Sequence, residues 1–164
     1  MSKTILISID KLKNNSYIDK NVEDKAIRIA VEFIQDTIIS TALGQELYNK
    51  VSELVQLGAV TGAYKTLLEE YIHPIFYYGV ASEILLPISF KQRNIGTFQA
   101  SDDKVYNTGL SDIKYLISNY NNKRDYYINR LEEHLKCNKC FEIYRKPCNK
   151  RTNNYNIPIN IKIK

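Results

Sequence analysis

The sequence predicts an all-α protein: a helical bundle with a long C-terminal helix, an exposed loop and an extended C-terminal tail suited to forming a strand with a partner. Three observations carry this. Apolar residues recur every three or four positions through most of the chain before residue 86 and again over 110–136; glycines stand where those patterns stop; and the helical period is lost over 88–108 and beyond 136. Residues 1–136 therefore make one helical unit bearing the loop 88–108, and residues 137–164 make a basic extended tail.

The cluster Ile5 to Ile9 is short and is followed by Lys11, Asn14 and Asn15, which predicts an extended lead-in or a single helical turn. The first sustained helix comes next. Asp19 or Asn21 is placed to cap it, and Glu23 and Asp24 suit the positive end of its dipole. Ile27, Val31, Ile34, Ile38 and Ala42 trace its apolar face, and Gly44 ends it. A second helix over 45–57 sets Leu47, Val51, Leu54 and Val55 on one side and stops at Gly58. From Ala63 to Leu86 the pattern runs through Leu67, Leu68, Tyr71, Ile75, Tyr78, Ala81 and Leu85, and Pro87 closes it. Pro74 cannot donate to the carbonyl four residues back, so a kink or a junction of two helices is expected there, with Tyr77 and Tyr78 near the core.

Residues 88–108 mix basic and polar side chains around Gly96 and predict a long exposed loop or a β-excursion. Within it, Lys91, Arg93, Phe98 and Lys104 are the candidate partner contacts. The last helix, 110–136, advances through Ile113, Leu116, Tyr120, Tyr127, Leu131 and Leu135. At 1.5 Å per residue it is about 40 Å long, more than a small core needs, so its surplus end should project or pack against another copy. In the tail, Ile157, Ile159, Ile161 and Ile163 alternate with polar residues or proline, a strand pattern. A lone strand is unstable, so these four are a second set of candidate contacts, to an edge supplied by a partner.

Composition narrows the class. With 164 residues, 44% of them hydrophobic and 25% charged, the chain suits a single folded domain. No apolar run approaches the length of a bilayer span and the opening MSKTILISIDK is too short in apolar residues for a signal peptide, so no membrane partner is expected and the chain should stay in the cytoplasm where it is made. The net charge of +5 is uneven: residues 136–164 carry +7, with Glu142 the sole acid, against −2 for residues 1–135. Such a tail suits nucleic acid or an acidic protein surface, or simply solvation.

Catalytic chemistry finds little support. The chain has no phosphate-binding glycine loop, zinc-protease helix motif or nucleophile elbow, and only two histidines. His73, beside Pro74 in an apolar stretch, suits packing better than catalysis. His134, Cys137, Cys140 and Cys148 offer four zinc-type donors, but one CxxC pair without a second is a weak signal, and no metal or cofactor is assigned. Tyr71, Tyr77, Tyr78, Tyr126 and Tyr127 could stack on bases, yet their helical spacing and the lack of basic neighbours around Tyr77 and Tyr78 favour packing.

The stretches VEDKAIRIAVEFIQDTIISTALGQELYNKV, YKTLLEEYIHPIFYYGVASEILLPISFKQRNIG and YNNKRDYYINRLEEHL together resemble the ring, or head-completion, proteins of the head-to-tail connector of tailed bacteriophages, most closely those of crAss-like podoviruses. The carriers are Ala42, Leu43, Gly44, Leu47 and Tyr48, then Tyr71, Pro74, Tyr77 and Tyr78, then the loop leading to a long helix; the likeness spans roughly residues 5–136. It implies a non-enzymatic structural virion protein, a homo-oligomer that closes as a twelve-fold ring (a dodecamer) and stacks on the portal or another connector or tail protein. Genomic DNA would pass through its channel without sequence specificity. The other reading, carried by the basic tail, is a small phage nucleic-acid-binding regulatory protein.

Overall fold

The computed structural model describes residues 4–93, 96–99 and 110–144, with backbone alone for 90–93, 96–99 and 142–144. It is mostly helical. Helix α1, Ile9–Asn15, is two turns where a lead-in or one turn was expected. Ser8 caps it, its Oγ accepting from Lys11 N at 3.2 Å, and fully buried Leu12 anchors it. The link to the next helix is tied by Lys13, whose Nζ donates to the Lys20 and Val22 carbonyls and to Asp24 Oδ1 at 2.9, 2.8 and 2.7 Å.

Helix α2 begins as Asp24–Ile34, passes through a π-helical turn at Gln35–Ile39 and finishes as Ser40–Leu43. Glu23, not Asp19 or Asn21, holds its N-cap position; Asp19 instead closes the preceding turn by accepting from Asn21 N at 2.8 Å. Ile27, Val31 and Ile34 are buried as the spacing requires. Beyond them the buried set is Ile39 and Leu43, not Ile38 and Ala42. A π turn inserts one residue into the helix, so every position after it moves by one around the axis. Gly44, at φ +73°, ends α2 and starts α3, Gln45–Gln56, whose Leu47 and Val51 are buried and whose end is marked by Gly58 at φ +64°.

Helix α4 runs from Gly62–Thr66 through a second π turn, Leu67–Ile72, into His73–Ser89. The junction expected at Pro74 takes the form of a change from π to α winding at His73. His73 N donates to Leu68 O, five residues back, so the hydrogen-bond register has already slipped where Pro74 lacks its donor. Pro87 lies inside the last turn of α4 and does not stop it. Leu67, Leu68, Ile75 and Ala81 are buried as expected, together with Ile72, Phe76, Val80 and Ile84, while Tyr71, Tyr77 and Tyr78 are half-buried on the flank of α4.

An antiparallel hairpin follows, β1 Phe90–Arg93 with β2 Gly96–Gln99, pairing Phe90 with Gln99 and Arg93 with Gly96. Of residues 88–108, Ile88 and Ser89 end α4, 90–93 and 96–99 form the hairpin, and 94–95 and 100–108 lie outside the described residues. Helix α5, Leu110–Cys137, then returns along α4 and makes the most extensive helix contact of the fold, and a 3₁₀ turn, Lys139–Tyr144, folds back so that Phe141 is buried. Gly79 is where α2, α4 and α5 meet: a Cβ there would lie 3.0 Å from Ile34 Cδ1 and 3.4 Å from Arg124 Cδ.

Candidate functional site

Five features could carry function, the last of them the exposed apolar ends of α4 and α5. The first is the pair of polar side chains inside the core. Gln35, four residues past buried Val31 at the start of the α2 π turn, accepts from Leu6 N at 3.0 Å through Oε1 and donates through Nε2 to Thr4 O at 2.9 Å and to the Tyr48 hydroxyl at 2.8 Å. His73 Nε2 meets Leu6 O at 3.2 Å. Burial above all, helped by Lys11, pushes the His73 imidazole down to about 4, against the opposing pull of the Leu6 bond and Glu69. This imidazole, its Nδ1 buried and its Nε2 bonded to Leu6, fastens the N-terminal segment to α4.

The second is the set of sequence-chosen contacts. Lys91, Arg93 and Phe98 fall in the hairpin, with Lys91 opposite Phe98. Lys104 and the tail isoleucines Ile157, Ile159, Ile161 and Ile163 lie outside the described residues.

The third is the histidine and cysteine group. The ring of His134 stacks on that of Tyr71 with centres 4.0 Å apart, and burial pulls its pKa down. Cys137 and Cys140 are exposed free thiols, and Cys148 lies outside the described residues. Among the described residues no group of three or more His, Cys, Asp or Glu is placed to hold a metal ion.

The fourth was only half visible in the sequence. Along α4, Tyr71 and Tyr78 are seven residues apart; along α5, so are Tyr120 and Tyr127, and Lys123 and Arg130. Seven residues are two helical turns, so each pair shares a face. Tyr78 stacks on Tyr127 with centres 5.6 Å apart and planes at 15°, and Tyr17 stacks on Tyr120 at 5.8 Å. Lys123 Nζ lies 5.6 Å from the ring centres of both Tyr17 and Tyr78 and 5.9 Å from that of Tyr120; Arg130 lies 5.0 Å from that of Tyr71. The sequence shows no basic residue near Tyr77 and Tyr78, but the fold brings Lys123 of α5 to Tyr78, and Arg130 to Tyr71 further along α4. Beside them an open groove of about 390 Å³ is lined by Tyr78, Asn119, Asn122, Lys123, Tyr126 and Tyr127. Burial foremost, then the neighbouring Tyr127, Tyr17 and Tyr120, raises the Tyr78 pKa, so this phenol stays neutral at ordinary pH.

Apolar exposure gathers elsewhere on the same two helices. Of the 28 residues of α5 only Ile113 and Leu131 are buried. Leu116, expected on the packed face, is exposed, as are Leu110 and Tyr115 beside it in the first turns of α5 and Leu86 and Ile88 in the last turn of α4. These are the ends of the two helices nearest the hairpin in the chain.

Fold and surfaces together define a helical protein whose distinctive features are aromatic, cationic and apolar surface patches. The chain belongs to the family of unknown function DUF6712, whose model matches residues 39–154. No curated protein and no solved structure matches it. Among the described residues no helix is long and apolar enough to cross a membrane.

Proposed function

We propose that this protein is a structural, non-enzymatic virion subunit: one wedge of a ring in the head-to-tail connector of a tailed phage, stacked on the portal or a neighbouring ring around the DNA channel. The supporting observation is the exposure of α5. A 28-residue helix with two buried residues, carrying Leu110, Tyr115 and Leu116 in the open, gains most from packing against another copy. The same end bears the hairpin with Lys91, Arg93 and Phe98, so one contact would combine apolar area with basic groups. Subunit contacts of this kind are heterologous, one face against a different face, and close into a ring when the rotation permits.

Light scattering on the eluting protein, with electron microscopy of large species, tests the reading. A closed ring alone, or on mixing with its portal, is the expected result; a fixed monomer or dimer that stays apart from connector components overturns it. A second reading, a small nucleic-acid-binding regulatory protein, is favoured by the cations that α5 sets over the α4 tyrosines. It requires a monomer or dimer that binds DNA with a steep salt dependence.

A further inference from the structure

We propose that the stripe along α4 and α5 is a binding site for a short run of single-stranded nucleic acid, with bases against the tyrosine rings and backbone phosphates at Lys123 and Arg130. The inference does not depend on the connector reading and concerns a different surface from the apolar helix ends.

Three observations point the same way. The groove lining combines aromatic rings, two carboxamides and an ammonium, and includes no carboxylate. Rings supply stacking that is indifferent to base identity, and the Asn119 and Asn122 amides supply donors and acceptors for base edges. Neither Lys123 nor Arg130 has an ion-pair partner among the described residues; each is held over a tyrosine ring, which fixes its position and leaves its charge unneutralised. The two cations repeat at seven residues, which places them about 10 Å apart on one face, a spacing that a flexible single strand can follow from phosphate to phosphate. Exposure agrees: Tyr126 is 63% and Tyr17 69% accessible, so aromatic surface remains open to a ligand. Glu70, beside His134, marks the end of the stripe where an anion is less welcome.

The alternative occupant of such a surface is a carboxylate-bearing protein segment. A polyanion with planar rings uses more of what is present, because a carboxylate would occupy the cations and leave the stacked rings and amides without a role.

The test is fluorescence anisotropy of the full chain with a labelled twelve-nucleotide oligothymidylate and with a duplex of equal length. The tail is itself basic, so the comparison is between two variants of equal charge. Lys123→Gln with Arg130→Gln should weaken single-strand binding about tenfold or more and reduce the log–log salt slope by about 1.4, the effect of two lost phosphate contacts. Lys25→Gln with Lys114→Gln, both exposed and away from the stripe, should lose less than threefold. Should the stripe variant fail to fold, Asn122→Glu places a carboxylate at an exposed position of the groove and should weaken binding at least fivefold with an unchanged melting temperature. Equal losses in the two double variants, duplex binding as tight as single-strand binding, no effect of Asn122→Glu, or no binding by the parent protein overturns the proposal; the last of these leaves the surface to a protein partner.

Discussion

Gln35 and His73, from different helices, meet on one residue: the carboxamide oxygen of Gln35 takes the Leu6 N–H at 3.0 Å and the imidazole of His73 takes the Leu6 carbonyl at 3.2 Å. Each side chain stands at a π-helical turn, Gln35 at the start of one and His73 just past the other. Together they do for Leu6 what a neighbouring strand would do, satisfying both backbone groups so that Leu6 and Ile7 can be buried.

Replacing Gln35 with Leu should therefore cost about 2 to 4 kcal/mol. The new side chain fits an apolar core but leaves the Leu6 N–H and the Tyr48 hydroxyl unpartnered. Chemical denaturation measures the loss, and hydrogen exchange at Leu6 should accelerate by the same free energy. A cost below about 0.5 kcal/mol would show that water takes over these bonds.

His73 should make stability fall with acid. Its folded pKa, about 4, is below the ordinary histidine value of 6.5, so the unfolded chain binds a proton more readily. Its neutral form is fully favoured above pH 6.5, the penalty grows as pH falls from there to about 4, and it levels off below. The full difference is about 3 kcal/mol. His73→Leu should flatten this part of the curve, whatever it does to the absolute stability, and an unchanged slope would assign the acid sensitivity to other groups.

Tyr78→Ala should cost about 1 to 2 kcal/mol, less than the ~3 expected of a fully buried ring, because Tyr78 is half-buried and keeps its stack with Tyr127 at the surface. Thermal and urea unfolding would register it. A cost near 4 kcal/mol would mean that the ring holds the α4–α5 contact together by itself.

Leu116→Lys should leave the subunit as stable as the parent, since Leu116 is exposed in the monomer, yet prevent ring formation on the connector reading. Removing residues 152–164 should likewise leave the helical body folded and impair assembly into particles. Circular dichroism separates folding from assembly in both cases, and normal particles from either variant would count against the corresponding contact.

Much of the helical plan is local and could be read residue by residue. Gly44 and Gly58 end helices where expected, because each adopts a positive φ that a side chain disfavours, and the Leu47–Val51 and Ile27–Val31–Ile34 spacings bury as the period demands. The candidate surface was less legible. Tyr71, Tyr78, Tyr126 and Tyr127 stood out, but Lys123 and Arg130 lie some fifty residues beyond the first two and join them only across the α4–α5 contact.

By itself, then, the sequence determined that the chain is mostly helical and, at Gly44 and Gly58, where helices stop, since glycine conformation and apolar period act within a few residues of one another. Tertiary structure alone decided that Ile39 and Leu43 are buried in place of Ile38 and Ala42, that a π turn precedes Pro74, and that Gln35 and His73 find polar partners inside the core. A π turn sacrifices regular i-to-i−4 hydrogen bonding, and that loss is offset by the partners that Gln35 and His73, at the edges of the two turns, find in the packed core. Those partners, Thr4, Leu6 and Tyr48 for Gln35 and Leu6 for His73, come from distant parts of the chain, so no local pattern encodes them.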